Sequence, residues 1–463
     1  MSPDRPINAD VPVAGEPAPA TKPKPRPTGE KKQSEPATKP SSPAPPRPQG
    51  RRRSRKPIPG ALKGIFALVA VAILFIVVAV IGGSGGSPDS SDNLAPAPAP
   101  TQAPSDEESA GTAASETAEQ LGYPAFATAN TTRVGGPDPA ANAAGVALAT
   151  FPATTPAQRP TAVTLVDADD WAGGLAAAVL VSEPVRAPIL ISAADELPEP
   201  TTAALNLLDP QGAPETGGAA TFAIGDVIAP DGKTTAVKAG SAAATAAAIA
   251  RLRDRLFGSD PAHIVLAPSG SPALAMPAAA WAARSGDPIL FAAGDRLPKP
   301  TAATLKRHDD VPVYVLGPSS AISSKAIRAV SEIGNEVHRV SGEDPIANAI
   351  AFARYADGEF GWNINDPGHG FVLARDDSPL TAAAAAPLSA AGTWGPLLLT
   401  DSATSLPGPL REYFLDVKPG YTTNPTRAFY NHVWVIGDQE AIDVNQQAEV
   451  NELAALAKIG SAP

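Results

Sequence analysis

The stretch PILISAADELPEP, Pro188 to Pro200, constrains this chain more than any other because it recurs. PILFAAGDRLPKP runs from Pro288 to Pro300 and PLLLTDSATSLPGP from Pro396 to Pro409, at offsets of 100 and 108 residues. Each copy reads as a short apolar strand, a polar loop and a Leu-Pro-x-Pro helix start. Proline suits the first helical turn, where its missing N–H is not needed. In the first two copies Asp195 and Asp295 also fall in register. Shared punctuation of this kind predicts one module used three times.

A second signature, R-V-x-G-x-D-P-x-A-N-A, begins at Arg133 and again at Arg339, with its aspartate at Asp138 and Asp344. It predicts a strand end, a glycine turn, an aspartate N-cap, proline at the first helical position and an Ala-rich helix. The middle copy, VKAGSAAATAAAIA from Val237, is eroded. Apolar strands follow at Thr161, His263 and Gly370, then Ala-dense helices at Trp171, Ala273 and Leu380, then the Pro-Ile-Leu strand and its helix. A last apolar strand ends in glycine before Asp226, Pro318 and Asp438. Apolar strands alternating with helices predict parallel sheets covered on both faces. The fold class expected is α/β, built of three tandem βα units spanning 123–235, 236–336 and 337–463.

The rest of the chain reads differently. Residues 1–60 hold 16 of the 53 prolines and almost no large apolar side chains, which predicts a disordered tail. Its Pro-x-x-Pro spacings leave a cytoplasmic adaptor partner open. RRRSRK at Arg51 precedes 18 uninterrupted apolar residues, Gly64 to Ile81. As a helix that run is about 27 Å long, near the bilayer's hydrocarbon thickness of roughly 30 Å. The expectation is one transmembrane helix within 61–83, its basic flank holding the N-terminus in the cytoplasm and the C-terminal units outside. Beside such a span the basic cluster reads as an orientation signal, not a nucleic-acid contact. Residues 84–122 carry 7 Asp+Glu and no Lys or Arg, and read as a flexible acidic stalk. Cysteine is absent, so neither disulfides nor thiolate chemistry are available.

The order of strands and helices, the Arg-x-x-Gly-x-Asp start, the Pro-Ile-Leu strand and the closing Gly strand resemble the cell-wall-binding repeat 2 family over roughly 123–463. That resemblance implies Rossmann- or Toprim-like units about a pseudo-threefold axis, holding a protein non-covalently to an anionic cell-wall polymer. The family's Pro-Ile-Leu-Leu stretch, linked to anchoring, maps onto Pro188, Ile189 and Leu190, onto Pro288, Ile289 and Leu290, and onto Pro396, Leu397 and Leu398. Apolar residues of a parallel strand are core by default, so a core role for these nine stays open. The family's aspartate-rich loop survives as Asp169-Asp170 and Asp376-Asp377, but is Ser269-Gly270-Ser271 in the middle copy.

The candidate polymer contacts are these strand residues with Arg133, Asp138, Arg339 and Asp344, and secondarily Arg186 and Lys299. Pairing of Arg133 and Arg339 with acidic neighbours is the alternative. Residues 121–463 carry 22 Lys+Arg against 35 Asp+Glu, so a polyanion is repelled at long range and needs local basic clefts or divalent bridges.

No enzyme is expected. His263, His308, His338, His369 and His432 show no metal-ligand spacing, and Gly232-Lys233-Thr234 fails as a P-loop because Val227 stands where its first glycine belongs. No catalytic residue, metal or cofactor is assigned. Two functions remain. One is a membrane-tethered extracytoplasmic module that binds wall polymer as scaffold, spacer or sensor. The other is an envelope protein–protein scaffold whose repeats no longer bind glycan.

Overall fold

The computed structural model describes residues 127–390 and 395–459. The expected tail, apolar run and stalk lie outside them. The chain runs β1 (Thr131–Val134), α1 (Pro139–Thr150), β2 (Val163–Asp167), α2 (Trp171–Ala177), β3 (Ile189–Ser192), α3 (Glu199–Leu208), β4 (Thr221–Ile224), β5 (Thr234–Val237) and α4 (Ala242–Phe257). It continues with β6 (Ile264–Pro268), α5 (Pro272–Ala275), α6 (Pro277–Ser285), β7 (Ile289–Ala292), α7 (Lys299–Leu305), β8 (Val313–Leu316), α8 (Ser324–Ser331), β9 (Val337–Val340) and α9 (Pro345–Arg354). The last part holds β10 (Gly370–Arg375), α10 (Pro379–Ala390), β11 (Leu397–Thr400), α11 (Gly408–Asp416), β12 (Gly420–Tyr421), β13 (His432–Ile436), α12 (Val444–Ala454) and β14 (Ala457–Lys458).

Three four-stranded sheets share one order, β3-β2-β4-β5, β7-β6-β8-β9 and β11-β10-β13-β1, and β12 pairs with β14 separately. Every pairing in the three sheets is parallel. The strands are short apolar runs, buried along nearly their whole length in β2, β3, β4, β6, β7, β8 and β11, as sheets covered on both faces require. The third sheet takes its fourth strand from the other end of the chain: β1 lies beside β13, Thr131 opposite Val433 and Val134 opposite Ile436.

One part of the expected fold class is corrected. Among the described residues no helix is long and apolar enough to cross a membrane. The described residues form parallel α/β layers; the run from Gly64 to Ile81 lies outside them. Gly232-Lys233-Thr234 is the turn into β5, with Lys233 Nζ donating to the Gly217 carbonyl at 2.8 Å.

The Ala-rich helices α2, α6 and α10 pack on one another, bringing the three layers into one core. Small side chains allow helices to approach closely, and α10 is buried on nearly all sides. Gly174 of α2 marks one close contact with α10. A Cβ there would lie 3.0 Å from Leu380 Cδ2, 3.3 Å from Val166 Cγ1 and 3.4 Å from Ala383 Cβ. Gly174→Val is therefore expected to cost about 1–3 kcal/mol through overpacking, read as a lower chemical-denaturation midpoint.

The Leu-Pro-x-Pro starts carry a further device. Thr201 and Thr301, both fully buried, donate to the strand-end carbonyls of Ile191 at 2.6 Å and Phe291 at 2.8 Å. These bonds tie helix starts α3 and α7 to β3 and β7. Leu410 occupies the matching place in the third copy.

Candidate functional site

In each sheet the chain leaves the inner strand β2, β6 or β10 for a neighbour on one side, then crosses to the strand on its other side. The winding direction reverses between those two inner strands. In open α/β sheets, ligands bind outside the carboxyl ends at such a switch point. The structure opens cavities there in the first and third sheets.

The first cavity, about 500 Å³, lies between the loops after β2, β4 and β5. Asp167 organises it: one carboxylate oxygen accepts from the Asp169 N–H at 3.0 Å, the other from the Asp226 N–H at 2.9 Å. Gly225, at φ 87°, lets the β4 loop pass within reach, since a Cβ would stand 2.6 Å from Asp167 Cβ. Asp170 caps α2 through the Gly173 N–H at 2.8 Å, and burial raises its carboxyl above the usual range. Lys238 pairs with Asp226 at the rim.

The third-sheet cavity, about 340 Å³, sits where α1 and α10 begin. Asp138, exposed, caps α1 through the Ala141 N–H at 2.8 Å. Asn142 accepts from the Gly136 N–H at 3.0 Å and donates to Thr381 Oγ1 at 3.1 Å, joining the two helix starts. Arg375, at the end of β10, pairs with Asp377 at 2.8 Å, and its buried Nε has no hydrogen-bond partner among the described residues. Burial, then the neighbouring Asp377 and Asp401, push the Asp376 carboxyl up. In the second sheet the same place holds Pro268, Ser269, Gly270 and Ser271, with Asp344 capping α9 through the Ala347 N–H at 2.8 Å.

The expected contacts divide sharply. Arg133 is 2% exposed, and its guanidinium is saturated inside the fold. Nε and Nη2 donate to Gln447 Oε1 at 3.1 and 2.8 Å, Nη1 to the Gly437 and Asp438 carbonyls at 2.9 and 2.5 Å, and Nη2 to the Ile442 carbonyl at 2.6 Å. Burial lowers its pKa, opposed by Asp438 and Asp443. Arg339 repeats the arrangement half-buried, donating to the carbonyls of Gly317 and Ile322. The alternative pairing with carboxylates is likewise not what either guanidinium does: its hydrogen-bond acceptors are carbonyl and amide oxygens.

Pro188, Ile189 and Leu190, Pro288, Ile289 and Leu290, and Pro396, Leu397 and Leu398 are all buried at β3, β7 and β11. They face the core. Arg186 and Lys299 are exposed, Arg186 lying over the Phe151 ring. Arg375, Lys238 and Asp167 line the crevices and were not singled out from the sequence. A charged residue directly ending an apolar strand is the signal that marks the first and last of these.

The histidines have local partners. His263 lies 3.1 Å from Asp287, His308 3.1 Å from Asp254, His369 3.1 Å from Asp366 and His432 3.1 Å from Thr132, while His338 stacks on Tyr314. Among the described residues no group of three or more His, Asp or Glu is arranged to hold a metal ion.

The described residues thus form a parallel α/β module with crevices at the carboxyl ends of its first and third sheets. Residues 239–327, from just before α4 into α8, match the family described as Cell wall binding domain 2 (CWB2). Two solved structures share the fold. Cwp6 from Clostridium difficile is 21% identical with a TM-score of 0.55, covering 71% of this chain and 48% of that one. Cwp8 from Clostridium difficile is 20% identical with a TM-score of 0.52, covering 71% and 52%. The chain thus spans about half the length of either. No curated protein matches the sequence.

Proposed function

We propose that the described region is a cell-surface module that binds an anionic cell-wall polymer non-covalently, as a scaffold or spacer. The match of residues 239–327 to a cell wall binding domain carries this reading. The crevices at the carboxyl ends of the sheets support it. Residues of the expected repeats 123–235 and 236–336 line the first crevice and residues of 123–235 and 337–463 line the other, while 236–336 holds the whole of the family match.

In this reading Arg375 and Lys238 meet the polymer's anionic groups, with the α1 and α9 starts at Asp138 and Asp344 lining the path. Arg133, Arg339 and the nine buried strand residues hold the frame, because their polar groups and surfaces are already engaged. A net-negative module needs such local cations, since its overall field repels a polyanion.

The test is co-sedimentation of the full chain with isolated sacculi, before and after secondary polymers are stripped. Binding should disappear on stripping. Arg375→Ala with Lys238→Ala should weaken it about tenfold and flatten its salt dependence, as loss of two charge contacts would. Binding that survives stripping, or indifference to both substitutions, rejects the reading.

A further inference from the structure

The two most exposed large apolar side chains among the described residues are neighbours, Phe429 at 73% and Tyr430 at 68%. They border a cavity of about 420 Å³ at the amino ends of β10 and β13, the opposite end of the third sheet from its crevice. This pair is held in place.

Asn431, fully buried, follows directly. Its Oδ1 accepts from the N–H groups of Gly368 at 2.8 Å and His369 at 3.1 Å, and its Nδ2 donates to the Val417 carbonyl at 2.9 Å. One side chain thus locks the loops before β10 and β13 together. Gly368, at φ 109°, lets Phe429 lie flush, because a Cβ would stand 2.9 Å from Phe429 Cβ. His369 and His432 complete the lining, each tied to its own partner, and among the described residues no carboxylate or ammonium group lines the cavity.

We infer that Phe429 and Tyr430 form a preorganised stacking platform for an uncharged sugar ring of the polymer proposed above. Rigid, flat, amphipathic faces bind at low ordering cost, and cavities of about 300–1,000 Å³ suit small rings. By themselves the two rings fall short of a protein footprint: they expose on the order of 300 Å², against about 800 Å² per partner in a stable interface. Neutrality also lets the platform add to binding without opposing the module's own charge. A polymer reaching crevice and platform would gain from both. The inference rests on the proposed function, and the experiment separates the two.

The full chain is titrated calorimetrically with polymer stripped from sacculi, alongside sedimentation velocity. Phe429→Ala with Tyr430→Ala should weaken binding about tenfold, in line with the loss of stacking on aromatic faces, while thermal melting and salt dependence stay unchanged. Phe429→Leu, which keeps bulk but not a flat ring, should weaken it as well, whereas Phe429→Trp should retain it. Unchanged affinity in the double variant overturns the platform alone. Loss of self-association with affinity intact overturns it in favour of a second copy of this chain. Failure of the wild-type chain to bind polymer removes both the function and the platform.

Discussion

Arg133→Ala is expected to destabilise the third sheet by about 3–5 kcal/mol, the range for stripping one partner from a buried, fully bonded charged group. Five hydrogen bonds vanish, and the carbonyls of Gly437, Asp438 and Ile442 with Gln447 Oε1 lose their guanidinium donor. Lysine should not rescue it, since one ammonium cannot reproduce a planar fork with five donors. Hydrogen exchange locates the effect: protection should fall in β1, β13 and α12 while β6 to β8 keep theirs. Arg339→Ala should do less, because its guanidinium is half-buried and bonds only two carbonyls. Polymer binding should fall only as far as folding does. An Arg133→Ala protein that folds normally and loses binding would return this residue to the polymer contacts.

Gly342→Ala should cost about 2–4 kcal/mol, as strained small-to-large changes do. A Cβ there would stand 2.2 Å from the Ala347 carbonyl carbon and the Asn348 nitrogen. These are backbone atoms of the first turn of α9, which cannot rotate away. The cause of the close approach is Asn348, whose Oδ1 accepts from the Gly342 N–H at 3.2 Å while its Nδ2 donates to the Leu274 carbonyl at 3.2 Å. Gly342→Ala and Asn348→Ala should therefore be markedly non-additive by chemical denaturation. Additive effects, or a loss below about 1 kcal/mol, would refute the coupling.

The same pair explains a pattern in the amino-acid sequence. Gly136 with Asn142 and Gly342 with Asn348 occur together, and in the eroded copy both are gone, replaced by Ala239 and Thr245. Ser241 still caps its helix there, as Asp138 and Asp344 do theirs. Cap and helix were legible because they are local. The glycine–asparagine link was legible only as co-occurrence, since its reason is a contact between loop and helix.

The site was less legible than the fold. Arg133 and Arg339 stood out as matched cations in an acidic module, and the surface reading followed from charge alone. Their burial depends on carbonyls that a neighbouring strand end and the turn beyond it present, about 300 residues later for Arg133. Arg375 and Lys238 carried no repeated signature, because the crevices of the first and third sheets are lined differently.

Short-range chemistry, written in the sequence by itself, determined the strands, the helix starts and the threefold recurrence: apolar runs, capping side chains and prolines act within a turn or two of where they stand. Only the tertiary structure decided that the first Arg-Val strand completes the last sheet. There β1 pairs with β13, and Asn451 binds Thr128 at 2.6 Å and the Asn130 N–H at 3.0 Å. The copies at Arg133 and Arg339 have the same local preferences, so nothing local says which sheet each will join. That choice is made by the one arrangement in which α2, α6 and α10 bury one another and every sheet gains its fourth strand.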